Sequence, residues 1–310
     1  MKIAFVFPGQ GSQYVGMGKE ICEIFGAARA IFEEASDALG YDLAGLCFNG
    51  PAEELNKTYR TQPCILTTSI AVHNVLLSKG IRPWVVAGHS LGEYSALVAA
   101  GAMSLKDGVR VTEERGQFMQ EAVPEGKGLM AAILGLEREG VDRICSALKS
   151  GYASPANYNC PGQIVIAGEK GAVEEAIELC KQAGAKRTVP LSVSVPSHCK
   201  LMSDASKRLE GLLDTIRFKP PMIPVVNNAD AFFINSVEDV KSSLVRQLNS
   251  PLLWEDSIKA IAGRGTDTFV EVGPGRVLSG LIKRIDPSAK ILNVEDLKSL
   301  DKTLAELSKH

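Results

Sequence analysis

The stretch WVVAGHSLGEYSAL, residues 84–97, constrains the fold more than any other. A short apolar run reads as a buried strand, a serine flanked by two glycines makes a tight turn, and a helical pattern begins at once. The same alternation surrounds it. KIAFVF (2–7) is a buried strand stopped by the turn-forming PGQGSQ. EICEIFGAARAIFEEASDALG (20–40) is helical, with Gly40 as its stop, and TTSIAVHNVLLSKG (67–80) is a second helix leading through Pro83 into the strand before Ser90. LGEYSALVAAGA and LKDGVRVTEERGQFMQEAV follow as helices. Such alternation predicts an α/β fold, largely parallel, with helices on both faces of the sheet.

The rhythm changes near Pro124 and Gly126. KGLMAAILGL is strand-like, EGVDRICSALKS helical, SPANYNCPGQIVIAGE supplies one or two strands around a Pro-Gly turn, GAVEEAIELCKQAG is helical, and AKRTVPLSVS is a last strand. This is the order of a split β-α-β unit, so a ferredoxin-like α+β subdomain is expected at 125–196, inserted into an α/β domain of residues 1–124 and 197–310. The outer domain resumes with PSHCKLMSDASKRLEGLLDTI as helix, IPVVNN as strand, SVEDVKSSLVRQLNSP as helix, DTFVEVGPG as strand and turn, then a last helix and AKILNV as final strand.

The pattern G-x-S-x-G between strand and helix is a nucleophile elbow: its glycines permit close backbone approach and its turn lifts the Ser90 hydroxyl above the strand. The competing expectation is a serine that merely caps the helix. A serine hydroxyl needs a base, normally histidine. Of four histidines, His310 is terminal, His73 lies inside a helical run, and His89 neighbours the serine and points elsewhere; His198, where a strand meets a helix, remains. Acyl transfer also needs N–H donors for an oxyanion. Leu91 follows the nucleophile, and the loop FPGQGSQ, with Gln10 at its tip, is suited to supply the second. That loop fails as a dinucleotide site, because Tyr14 stands where the third glycine of G-x-G-x-x-G is required. If 105–122 is a helix, Arg115 can point back into the cleft and hold a carboxylate through its planar fork. Cys199 beside His198 is read as a core thiol, since adjacent side chains rarely pair.

Composition excludes several classes. With 45% apolar and 23% charged residues the chain is expected to be soluble and ordered, and a net charge of −2 gives no global attraction to nucleic acid or anionic lipid. Seven cysteines without a C-x-x-C pair suggest reduced thiols in a cytoplasmic protein. The apolar run before Pro8 is too short for a secretory signal, and no stretch is long enough to span a membrane. Scattered histidines offer no metal site. A monomer is expected, since no long exposed apolar stretch asks for a partner.

Taken together, FPGQGSQ, GHSLGEY, RGQFMQ, NYNCPGQIVIAG, VPSHC and EVGPGRVL, in this order over nearly the whole chain, resemble the malonyl-CoA:acyl carrier protein transacylases of bacterial fatty acid synthesis. The resemblance implies ping-pong acyl transfer on a hydrolase-like α/β core with a ferredoxin-like insert. By position it implies Ser90 as nucleophile, His198 as general base, Gln10 and Leu91 as backbone oxyanion donors, and Arg115 as the binder of the malonyl carboxylate. It further implies that the main-chain carbonyl of Gln247 orients the histidine, which accounts for the missing acidic triad member. Malonyl-CoA and acyl carrier protein are then the substrates, with no bound cofactor. Carrier proteins are usually acidic, and Lys181, Lys186 and Arg187 are candidate contacts; a solvated face accounts for them equally well. Rival expectations are a serine thioesterase or hydrolase, a non-catalytic carrier-binding module, and a free-standing polyketide-type malonyl acyltransferase.

Overall fold

The structure is a computed structural model and describes residues 2–191 and 195–308. His310 and the end of the strand expected over 185–194, residues 192–194, lie outside the described residues.

Among the described residues, nine strands form two sheets. The larger contains β1 (Ile3–Phe7), β2 (Val85–Gly88), β7 (Val225–Val226), β8 (Thr268–Val272) and β9 (Lys290–Val294), all parallel, in the order β7-β2-β1-β8-β9. The smaller contains β3 (Gly128–Leu134), β4 (Ala153–Cys160), β5 (Gln163–Glu169) and β6 (Arg187–Pro190), all antiparallel, in the order β4-β5-β3-β6. That order is the ferredoxin-like arrangement, in which two β-α-β halves interleave.

The sequence of β1, IAFVF, explains why this strand is central. All five residues are buried, and alternate side chains enter different cores: Phe5 and Phe7 pack among helices on one face, Ala4 and Val6 with Trp254 and Ile258 on the other. In the small sheet, Ala131, Ile133, Ile164 and Ile166 pack under helices Arg138–Ser146 and Lys170–Gln182. The opposite face, with Met130, Ala132 and Val165, turns toward β2 and closes a cleft between the two sheets.

Several elements differ from the sequence-based expectation. The helix expected over 20–40 is two, Lys19–Ile24 and Gly26–Leu39, because Phe25 is extended at φ −110° and ψ 111°. The helix expected to open at Thr67 opens at Thr58 and runs to Ser78 with Pro63 inside it; it is buried nearly all round, which erases its amphipathic signal. Helices Leu43–Asn49, Ala52–Leu55, Trp254–Ala262 and Leu297–Leu307 were not expected. The helix expected from Pro196 begins only with a 3-10 turn at Lys200–Met202, followed by Ser203–Leu213, which leaves His198 on a loop.

Candidate active site

Ser90 sits where β2 turns into helix Gly92–Ala99, at a positive φ of 53° that costs a non-glycine residue on the order of 1 kcal/mol. The turn is that tight because its glycines admit it. A Cβ on Gly88 would overlap the backbone of Gly92, and a Cβ on Gly92 would overlap the carbonyl of Phe7 at the end of β1. Both main-chain polar groups of Ser90 are held by side chains: its N–H donates to Asn228 Oδ1 at 2.8 Å, and its carbonyl accepts from Gln247 Nε2 at 2.9 Å. Asn228 is itself anchored through Nδ2 to the Gly88 carbonyl at 2.8 Å.

Ser90 Oγ lies 2.8 Å from His198 Nε2. His198 also has positive φ, 61°, and its Nδ1 lies 2.8 Å from the main-chain carbonyl of Gln247 in helix Val237–Asn249. A carbonyl only accepts, so Nδ1 carries the proton and Nε2 is left as the acceptor for the serine. Burial and the neighbouring Arg115 charge push the His198 pKa down to about 3, which keeps the ring neutral and able to take a proton.

The side chain of Arg115, on helix Leu105–Ala122, is buried at 1% exposure and reaches back to the elbow. Nη1 donates to Gln62 Oε1 at 2.7 Å, and Nη2 to Gln247 Oε1 at 3.0 Å and to Ser90 Oγ at 3.3 Å. Its Nε finds no partner among the described residues, and burial disfavours its charge. A desolvated guanidinium whose hydrogen bonds all go to neutral side chains can take up an incoming anion.

These groups line a cleft of about 290 Å³ whose other walls are Met119, Met130, Asn159, Val277 and Leu281. Gln10 and Leu91 stand at its edge, and the N–H groups of both lack hydrogen-bond partners among the described residues. The Gln10 side chain donates through Nε2 to Thr58 Oγ1 at 3.2 Å, and Thr58 lines the same cleft.

The remaining candidates do not contact Ser90 Oγ or the His198 ring, although His89 lines the same cleft. His73 packs edge-on against Phe5 and Phe7. His89 Nε2 lies 2.9 Å from Asn159 Oδ1. Cys199 donates to the Pro196 carbonyl at 3.2 Å. Lys181, Lys186 and Arg187 do not share one face. Lys181 is paired with Glu178 on a helix behind the small sheet, whereas Arg187 pairs in register with Leu134 and therefore shares the face of Ala132 and Met130 toward the cleft. Sequence reasoning did not single out Glu93, Asn228 or Gln62. Glu93 alone carried a signal, as a carboxylate one position past the G-x-S-x-G motif in an otherwise apolar helix. No helix among the described residues is long and apolar enough to cross a membrane, and no cluster of His, Cys, Asp and Glu among them has a metal-binding arrangement.

Residues 4–300 match the acyl transferase domain family. The chain is 48% identical over 308 residues to the malonyl CoA-acyl carrier protein transacylase of Bacillus subtilis, across 99% of this chain and 97% of the relative. It is 52% identical over 286 residues to that of Escherichia coli strain K12, across 92% and 93%. Among solved structures, an acyl carrier protein S-malonyltransferase from Vibrio cholerae superposes with a TM-score of 0.96 at 48% identity, covering 98% of this chain and 100% of that one. A malonyl-transacylase in complex with a type II PKS acyl-carrier protein also superposes with a TM-score of 0.96, at 49% identity, covering 99% and 100%. With about half its residues identical to theirs over nearly the full length of each, the chain belongs to the malonyl CoA-acyl carrier protein transacylases, within the acyl transferase domain family.

Proposed function

We propose that this chain moves the malonyl group from malonyl-CoA to the pantetheine thiol of acyl carrier protein through an ester on Ser90. The observation that carries this is the line Ser90, His198, Gln247 carbonyl with the Arg115 guanidinium 3.3 Å from the nucleophile. His198 Nε2 takes the serine proton as Oγ attacks the thioester carbonyl, and the Gln10 and Leu91 N–H groups receive the oxyanion, each worth roughly 3 kcal/mol to the barrier. The C–S bond breaks, His198 returns the proton to the leaving thiolate, and coenzyme A departs. The malonyl carboxylate rests on Arg115 until the carrier thiol attacks and His198 repeats its role.

A hydrolase would need an acid behind His198. The group in that place is a neutral carbonyl, which orients the imidazole and stabilises its cation less than a carboxylate does. Arg115, moreover, gives the acyl group a reason to stay. Arg187, facing the cleft side of the small sheet, is the best placed of the three basic candidates for carrier contact. Initial rates measured against malonyl-CoA at several fixed carrier concentrations should give parallel double-reciprocal lines, the pattern of a covalent two-step transfer. Intersecting lines would mean direct transfer and would remove the Ser90 intermediate.

A further inference from the structure

Glu93 is the most deeply buried carboxylate around the elbow, with 0% exposure and no cation within ion-pair distance among the described residues. Its Oε2 accepts from the Asn228 N–H at 3.0 Å and from Gln247 Nε2 at 2.9 Å, and Oε1 faces Ser243 Oγ at 3.5 Å. The other end of the same Gln247 amide accepts from Arg115 Nη2 at 3.0 Å. One amide therefore lies between a buried carboxylate and a buried guanidinium, with its NH₂ on the anion and its carbonyl on the cation. That orientation aligns the amide dipole with both charges, so each strengthens the hydrogen bond of the other. With Glu93 ionised, the site is neutral as a whole while the cleft is empty. An acyl carboxylate arriving at Arg115 makes two anions for one cation in a space shielded from water.

We propose that Glu93 is the resident counter-charge of Arg115, acting through the Gln247 side chain, and that seating an acyl carboxylate on Arg115 drives protonation of Glu93. The proposal rests on the assignment of Arg115 as the carboxylate site. Glu93 touches neither the reacting atoms nor the acyl group, so it is a positioning residue. The covalent step stays balanced: the serine proton leaves on the coenzyme A thiol, and the additional proton comes from solvent to the Glu93 carboxylate. Burial pushes the Glu93 carboxyl up to about 7, against the hydrogen bonds from Gln247 and Asn228 and the attraction of Arg115, so a second anion nearby shifts its protonation near neutral pH. The charged or titratable groups facing it among the described residues are Arg115, from helix Leu105–Ala122, and Tyr94, its own neighbour. Helix Val237–Asn249 and the segment after β7 present the neutral Ser243, Gln247 and Asn228. Proton and carboxylate binding are reciprocally linked, so malonyl use relative to acetyl use must fall as pH rises through the Glu93 titration.

The test is the ratio of kcat/KM for malonyl-CoA to that for acetyl-CoA between pH 5.5 and 8.5, in which effects common to Ser90 and His198 cancel. The ratio should fall by about fivefold or more across this range in the wild-type enzyme and stay high and flat in Glu93→Gln. In that variant the amide oxygen can keep the Asn228 and Gln247 contacts while its NH₂ faces Ser243. A second measurement needs no variant: malonyl loading in weak buffer at pH 7, followed with an indicator dye, should take up a fraction of a proton that acetyl loading does not. A pH-independent wild-type ratio, an identical slope in Glu93→Gln, or the same proton uptake with both donors would each overturn the proposal. Arg115→Ala separates the premise from the inference. If it keeps the malonyl preference, the carboxylate site is misassigned and the proposal falls with it; if it loses the preference while the wild-type ratio ignores pH, only the role of Glu93 falls.

Discussion

Arg115→Ala is the perturbation whose size can be worked from the geometry. The guanidinium is fully desolvated and makes two good hydrogen bonds, 2.7 Å to Gln62 and 3.0 Å to Gln247. A carboxylate displacing or sharing these gains charge-assisted bonds worth about 1.5–3 kcal/mol each. Losing two at the low end removes about 3 kcal/mol, roughly a hundredfold in kcat/KM for malonyl-CoA. Acetyl-CoA has no carboxylate to lose, and removing a buried charge from the cleft should leave its rate unchanged or raise it. The variant also strands the Oε1 atoms of Gln62 and Gln247, at about 1–3 kcal/mol each, so its Tm should fall. That cost acts on both donors alike and cancels in their ratio. The assay is coenzyme A release from each donor at matched pH. A malonyl-to-acetyl ratio within about threefold of wild type would refute the assignment, since it corresponds to less than about 1 kcal/mol.

Other perturbations act on separate parts of the site. Gly92→Ala drives a Cβ into the Phe7 carbonyl and should push the elbow away from β1, lowering kcat by tenfold or more, on the order of 1.4 kcal/mol, for malonyl and acetyl donors equally; a selective loss would contradict it. Asn228→Ala frees the Ser90 N–H and the Gly88 carbonyl and should cost about 1–3 kcal/mol of stability by denaturant titration. The same variant should depress kcat more than KM. His73 is buried without a partner at Nδ1 among the described residues, and its pKa is pushed down to about 4 by burial. Its folded pKa lies below the unfolded value of 6.5, so the unfolded state binds the extra proton, and stability is lost as pH falls from about 6.5 toward 4. That amounts to roughly 3 kcal/mol. His73→Phe should make this acid limb shallower in Tm measured against pH, with buried His198 still contributing to it, and an unchanged limb would contradict the assignment.

The parts of this site legible in sequence are those that depend on near neighbours. G-x-S-x-G between an apolar run and a helix announces its own strain, because only glycine tolerates the close approach at residues 88 and 92. His198 is legible because the chain holds only four histidines, and the other three sit at the terminus, inside a helical run and beside the nucleophile. Asn228 and Gln62 are not, because nothing local marks them: their roles come from β7 pairing with β2 and from packing of helix Thr58–Ser78 on helix Leu105–Ala122. Glu93 stands out as the one carboxylate in an otherwise apolar helix, but its partners show only once the fold brings Gln247 and Asn228 onto it. The same division holds for the fold. Long strands with a clear apolar run, such as β1 and β5, were legible, whereas Leu43–Asn49 and Ala52–Leu55 span two turns or fewer and carry too few residues for a period to show. The closing helix Leu297–Leu307 was not expected, although Asp296 and Ser299 form a capping box at its start that the sequence itself displays.

The central claim is that Ser90 carries the acyl group between two thiols. The most direct measurement is the intact mass of the protein after mixing with malonyl-CoA alone, beside a Ser90→Ala control, followed by addition of carrier protein bearing its pantetheine. A single malonyl adduct on wild type only, discharged when the carrier is added, is the predicted result. Free malonate and coenzyme A accumulating with no adduct, or an equal adduct on Ser90→Ala, would contradict it.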